Sequence, residues 1–299
     1  MTQREVVHLG KSYYPEFGGI ETATKNLAEV GVGLGYDVTC DTAGAKACWP
    51  RRYVVNGVRV KRRLTLGRFL STPLAPGLLR LNKKNALIHV HLPNPLGEIA
   101  ALAHSAVFGS ASRSWPFFHA LPFRGKGLGG IWFRWVTKRV LARAEHILVS
   151  STYIVEAFPE IKPYANKIRV MPFVTDVASR EEVESLWPVR LAEKTVVTVG
   201  RLVPYKGHFG LIEAWRNSRL AEKGFRLKII GDGPLSSALQ EAISGQESIS
   251  ILRACSEAEK KFWLQRACAF VLASVDESET FGIAAQEAMA QGLPLVLTD

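Results

Sequence analysis

Nowhere does the chain hold an apolar run of the roughly 18 residues or more that a membrane-crossing helix needs; Ile131-Trp132-Phe133, for example, is broken at once by Arg134. No transmembrane segment is expected. The first residues, Met1-Thr2-Gln3-Arg4-Glu5, run straight into Val6-Val7-His8-Leu9, without the long apolar core and small-residue cleavage site of a secretory leader, which argues against export. Cysteine is scarce as well. Cys40, Cys48, Cys255 and Cys268 match neither a zinc-ligand pattern nor Cys-x-x-Cys, so reduced, structural thiols and a cytoplasmic protein are expected. The sequence also lacks internal repeats, low-complexity tracts, the Gly-x4-Gly-Lys-Ser/Thr phosphate loop, and any RNP, zinc-finger or helix-turn-helix signature.

What is present describes a globular protein. At 299 residues, 47% of them hydrophobic and 22% charged, the chain exceeds one ordinary domain of about 100–200 residues and can bury two cores. Its net charge of +11 is unevenly spread. Residues 1–175 carry 24 Lys+Arg against 10 Asp+Glu, a balance of +14, and residues 176–299 carry 14 against 17, a balance of −3. One half is therefore suited to face a polyanion, and charge alone does not choose between an anionic membrane and a nucleic acid. The densest cluster, Arg59 to Leu70, interleaves Lys and Arg with apolar residues. That pattern permits shallow insertion among lipids, and equally a solvated basic loop.

Short apolar runs alternate with helix-like segments throughout. Val6–Leu9 reads as a buried strand, Gly18-Gly19 as a turn, Ile20–Leu34 as a helix and Val38–Cys40 as the next strand, a βαβ start. Strands at Ala86–Leu92, Trp115–His119, His146–Ser150 and Ile168–Met171, with helices at Pro95–Val107 and Gly130–Ala144, continue a parallel sheet. The polar stretch Thr175–Lys194 reads as a linker. After it, strands at Thr195–Val199, Arg226–Ile230, Ser248–Leu252, Ala269–Leu272 and Leu295–Thr298 alternate with helices at His208–Trp215, Leu235–Ile243, Glu257–Gln265 and Ile283–Ala290. The expectation is α/β: two doubly wound parallel-sheet domains, 1–175 and 176–299, with a ligand cleft at the carboxyl ends of facing strands.

Two segments carry chemistry. In Glu279-x7-Glu287 two carboxylates eight residues apart bracket a glycine turn that opens a helix. The backbone N–H groups near Phe281, Gly282 and Ile283, with the positive end of the helix dipole, suit a phosphate, and the two acids suit hydroxyls of a sugar and a ribose. Standing alone, the same pattern fits an amphipathic helix with surface acids. In Gly200-Arg201-Leu202-Val203-Pro204-Tyr205-Lys206-Gly207, a guanidinium and an ammonium follow a strand, where they can neutralise a diphosphate or simply line a solvated turn.

Taken in order, Gly18-Gly19-Ile20-Glu21, Gly200-Arg201-Leu202 with Lys206-Gly207, Ile230-Gly231-Asp232-Gly233-Pro234 and the Glu279/Glu287 pair resemble glycosyltransferase family 4, retaining enzymes of GT-B architecture. The resemblance runs from Val6 to Asp299. His91-Leu92-Pro93-Asn94-Pro95 further resembles the O-antigen and exopolysaccharide members, which often use mannose. The resemblance implies that Arg201 and Lys206 hold a donor diphosphate, that Glu287 bonds the nucleotide ribose, and that Glu279 with the Phe281 and Gly282 backbone holds the transferred sugar. It implies that Gly18 and Gly19 let the first loop approach donor phosphates and acceptor, and that His119 lies beside the sugar as a catalytic residue with Glu279. Ala120-Leu121 stand where that family commonly has Ser-Asp, and Val174 where it has glycine.

The function so implied is transfer of a hexosyl group from a nucleotide-diphosphate sugar to a lipid-diphosphate-linked saccharide, with no metal or other cofactor. The protein would sit peripherally at the inner face of the cytoplasmic membrane and bind no nucleic acid. A non-catalytic relative that binds nucleotide sugar or membrane without turnover is the alternative; nucleic-acid binding by the basic half is a third. Compared with that family, the chain stops at Leu295–Asp299 before the rest of the second domain, so an incomplete sheet, reduced stability and weak or absent activity are expected. Two apparent motifs are set aside: Gly31-x-Gly33-x-Gly35 ends a helix instead of opening one, and His89 and His91 share a strand face without a third metal ligand.

Overall fold

The computed structural model describes residues 4–298 except 15, 17, 45–49, 70–71, 82, 120–127, 174, 176, 254, 277–278 and 280, and omits the side chains of 68, 69, 72, 128, 129, 133 and 134. Cys48, Leu70, Ala120, Leu121, Val174 and Asp299 thus lie outside the described residues. The chain divides into two compact units, Met1–Val174 and Thr175–Asp299.

In the first unit the main-sheet strands are β1 (Glu5–Gly10), β2 (Asp37–Thr42), β3 (Arg51–Val55), β4 (Val58–Arg62), β5 (Leu87–Leu92), β6 (Arg113–Phe118), β7 (Ile147–Val149) and β8 (Ile168–Val170), beside a separate short hairpin of Arg68–Phe69 with Thr72–Pro73. They form one eight-stranded sheet in the order β8-β7-β6-β5-β1-β2-β4-β3. Every pairing in that sheet is parallel except the β3–β4 hairpin. Helices α1 (Gly19–Gly33) and α2 (Pro95–Phe108) cover it; Asn94 caps α2 by accepting from the Gly97 N–H at 3.2 Å, and Pro95 fits the first turn, where no N–H is needed. The main core gathers Val7 and Leu9 of β1, Ile88, Val90 and Leu92 of β5 and Phe118 of β6 on one sheet face.

The second unit holds β9 (Thr195–Val199), β10 (Arg226–Ile230), β11 (Ile249–Leu252), β12 (Ala269–Leu272) and β13 (Leu295–Leu297), all parallel, in the order β11-β10-β9-β12-β13. The central β9 and β12 carry apolar residues of the two cores on both faces, which is why they read as apolar runs without alternation. Helices α4 (His208–Asn217), α5 (Ser236–Ala242), α6 (Glu257–Arg266) and α7 (Ile283–Ala290) intervene.

Three expectations are corrected. The polar stretch read as a linker contains helix α3 (Arg180–Glu193), opened by a capping box in which Ser179 Oγ accepts from the Glu182 N–H (3.2 Å) and Glu182 accepts from the Ser179 N–H (2.7 Å). Its anchor is a cation: Arg190, 0% exposed, donates to the carbonyls of Gln265 (2.9 Å), Gln291 (2.6 Å) and Gly292 (3.4 Å). The helix expected at Gly130–Ala144 is broken by a π turn, Phe133–Thr137, between Leu128–Trp132 and Lys138–Arg143. Residues at both ends of that turn, Trp132 and Thr137, donate to the buried Glu98 carboxylate, each at 2.6 Å.

The third correction concerns the basic cluster. Arg59–Arg62 belongs to β4, and the Val60 side chain is core at 1% exposure and so does not insert among lipids. Arg59 pairs with Asp37, Arg62 with Glu16 (3.6 Å), and Arg63 donates to Asp41 (2.6 Å). Much of the counted charge is thus neutralised inside the unit. The exposed Arg51 and Arg52, the half-buried Lys61 and the exposed Leu64 and Leu66 remain on the surface. No helix among the described residues is long and apolar enough to cross a membrane.

Candidate active site

Strand ends in the second unit converge because glycines let their loops touch. A Cβ on Gly231, just after β10, would lie 1.9 Å from the Gly200 carbonyl oxygen, just after β9. One on Gly207 (φ 66°) would lie 1.8 Å from the Ala273 oxygen, just after β12. Only a residue without a side chain allows either approach. The loops are further tied by the Leu202 N–H to the Asp232 carbonyl (3.0 Å) and the Val275 N–H to the Tyr205 carbonyl (2.8 Å).

This convergence brings together most of the residues singled out in this half of the sequence. Arg201 is exposed at the carboxyl end of β9, and the buried His208 imidazole contacts its carbonyl at 3.2 Å, fixing the loop at that point. Lys206 forms an ion pair with Glu279, its side chain only 11% exposed. The other Glu279 oxygen accepts from the Gly282 N–H at 3.0 Å, and Ser274 Oγ lies 3.3 Å from the carboxylate. Gly282 is the left-handed cap of α7 (φ 68°), so Glu279 occupies the helix's positive end and already uses one N–H expected to meet a ligand. Phe281 precedes the cap and Ile283 opens α7. The Tyr205 hydroxyl beside this pair is held above its ordinary pKa, chiefly by burial and then by the Glu279 charge.

Glu287 lies further along α7 and has its own cation, Lys260 of α6, at 2.8 Å. Burial raises the Glu287 carboxyl, and Lys260 opposes that shift. Lys260 is pulled down by burial, but Glu287 and Glu257 outweigh this and hold it above its ordinary value. Each acid of the pair is therefore matched to one ammonium. Sequence reasoning missed Lys260, Ser274 and His208, because a lone Lys, Ser or His on an element carries no pattern of its own.

In the first unit, Gly18 caps α1 and Gly19 begins it. The Glu21 carboxylate folds back over Gly18, where a Cβ would meet it at 2.2 Å, and accepts from Ser12 Oγ at 2.6 Å. His119 directly follows β6, buried, its ring parallel to Phe173 (3°, centroids 5.3 Å apart). Burial, with His89 nearby, pushes it down to about 3, so it is neutral at pH 7. His89 and His91 are buried, and among the described residues no group of three His, Cys, Asp or Glu could hold a metal ion.

The family described as "Glycosyl transferase 4-like domain" matches residues 18–173, and that described as "Glycosyl transferases group 1" matches 179–299. A GDP-mannose:cellobiosyl-diphosphopolyprenol alpha-mannosyltransferase of Komagataeibacter xylinus is 27% identical, the match covering 99% of this chain and 75% of that protein. O-antigen chain mannosyltransferase C of Escherichia coli is 25% identical over 97% of this chain and 78% of that protein. Among solved structures, Anabaena HepE in complex with UDP and glucose superposes with a TM-score of 0.71 at 16% identity, covering 99% of this chain and 80% of that one. Starch synthase IV of Arabidopsis thaliana, bound to ADP and acarbose, gives 0.69 at 14%, covering 99% and 83%.

Proposed function

The chain belongs to the glycosyl transferase 4-like family, and from that premise we propose that it moves a hexosyl group from a nucleoside-diphosphate sugar to a hydroxyl of a lipid-diphosphate-linked saccharide, retaining the anomeric configuration. Glycosyl transfer and the GT-B fold come with the family and with the solved relatives. The donor and acceptor classes take their support from the mannosyltransferase relatives, one of which is named for GDP-mannose and a diphosphopolyprenol.

The observation that carries the reading is the Lys206–Glu279 pair at the start of α7. As the bond to the sugar breaks, charge gathers on the departing diphosphate. Arg201, Lys206 and the α7 N-terminus stabilise it, Arg by its fork and Lys as a point charge. Glu279, released from Lys206, accepts from a sugar hydroxyl, and Glu287 accepts from the ribose. The family resemblance assigns His119 to the sugar, and Gly18 and Gly19 to the approach of donor phosphates and acceptor. On this reading fixed cations do the work a divalent ion does elsewhere, so activity needs no metal. GDP-mannose, UDP-glucose and a panel of other nucleotide sugars, incubated with a polyprenyl-diphosphate saccharide with and without EDTA, test it. The expected result is one EDTA-resistant glycoside with the donor's anomeric configuration; an inverted product or no product from any donor would sink it.

The same reading makes the protein peripheral at the inner face of the cytoplasmic membrane, through the surface residues Arg51, Arg52 and Lys61 and the exposed Leu64 and Leu66; basic residues near an anionic surface contribute about 1 kcal/mol each. Sedimentation with vesicles is expected to require anionic lipid and to fall when Arg51, Arg52 and Lys61 are changed together to Glu. Equal binding to neutral vesicles, or tighter binding to DNA than to lipid, would remove that surface from the proposal.

A further inference from the structure

Alternation along β1, β5 and β6 puts His8, His89, His91, Trp115 and Phe117 on one sheet face, opposite the aliphatic core. His119 follows at the end of β6. Three of these rings are bonded in series: His8 Nδ1 lies 2.9 Å from His91 Nε2, and His91 Nδ1 lies 2.6 Å from His119 Nε2. Their planes differ by only 24° and 19°, with centroids 5.2 and 4.9 Å apart. Each centroid separation exceeds its N···N distance by the same amount, as two imidazoles meeting edge to edge in line must. All three are buried, which holds each well below its ordinary pKa and so neutral at pH 7.

Neutrality makes this geometry restrictive. A neutral imidazole has one N–H, so His91, bonded at both nitrogens, donates in one bond and accepts in the other. If it donates from Nδ1 to His119, it accepts at Nε2 from His8 Nδ1–H, and all three rings are protonated on Nδ1. If instead His119 donates from Nε2, His91 donates from Nε2 to His8, and all three are protonated on Nε2. Either way the tautomer of His8 dictates that of His119, with which it shares no bond. His119 Nε2 is committed to His91, so a sugar meets its Nδ1, as a donor in the first arrangement and an acceptor in the second.

We propose that His8 and His91 are positioning residues that fix, through this coupled chain, whether His119 offers the transferred sugar a hydrogen-bond donor or an acceptor. The proposal rests on the reading of His119 as the sugar-side histidine. It assigns a role to a row of imidazoles that an aliphatic core would fill more cheaply, since a buried polar group costs stability unless bonded.

The test is the tautomer itself, read from two-bond 1H–15N correlations in the full chain labelled with 15N-histidine, and assigned by the loss of signals in His119→Asn. His8, His91 and His119 are expected to share one tautomer. His8→Phe, which touches no atom of His119, is expected to convert His119 to a mixture of tautomers while His104 and His208 signals stay put, and to lower kcat about tenfold with donor KM unchanged. Should His8→Phe fail to fold, His8→Gln and the shared tautomer of the parent chain carry the same test. Different tautomers among the three rings, or a His119 tautomer indifferent to His8 in a folded variant, overturns the proposal. Coupled tautomers in an enzyme whose His119→Ala variant keeps full activity would instead overturn the sugar-side reading of His119.

Discussion

Replacing Lys206 by alanine is expected to lower kcat by about 10²–10³-fold, the loss of roughly 2.7–4 kcal/mol that removal of one preorganised charge contact from a transition state costs. Two physical effects add here. The ammonium is largely shielded from water, so its interaction with a departing diphosphate is weakly screened, and its loss leaves the Glu279 carboxylate without its cation. Arg201→Ala should fall in the same range through the lost guanidinium fork, while its exposure leaves folding untouched. Single-turnover rates at saturating donor, read beside thermal melts, separate the chemical loss from a folding loss. Full rates in both variants would remove the diphosphate site from this loop.

Arg190→Met should produce the largest loss of stability, about 3–5 kcal/mol, because it removes the guanidinium that donates to the carbonyls of Gln265, Gln291 and Gly292 while keeping most of the side-chain volume. The cation also lies over the Trp187 ring, 5.1 Å from its centroid. It joins α3 to the end of α6 and to the turn after α7. Urea unfolding followed at the tryptophans measures the change. A midpoint equal to that of the parent chain would mean that the helix is held by its apolar contacts alone.

These residues show where sequence reading succeeds and where it stops. Strands such as Thr195–Val199 and Ala269–Leu272 were legible to the residue, since core packing on both faces leaves a short apolar run bounded by polar or small residues. Helix α3 was not, because what anchors it is an arginine, and a polar anchor leaves no apolar period. Its signal was Ser179-x-x-Glu182, the same cap that opens α6 at Ser256 and Glu259. The β3–β4 hairpin also had a signal, Asn56-Gly57, both at positive φ (47° and 80°) as a tight hairpin turn requires. In the candidate site the acids and Lys206 followed a legible order, but Lys260 and His8 reach their partners only through the fold. Contact across 27 or 83 residues of sequence has no local trace.

The hairpin has one more consequence. In the described sheet β3 is the outermost strand, so one side of its backbone carries amide and carbonyl groups that a foreign strand could zip onto. Arg51 and Arg52 stand exposed on that strand, and a second copy approaching in register would bring guanidiniums against guanidiniums. Exposed charge on an outer strand of this kind disfavours a parallel, in-register pairing of two copies.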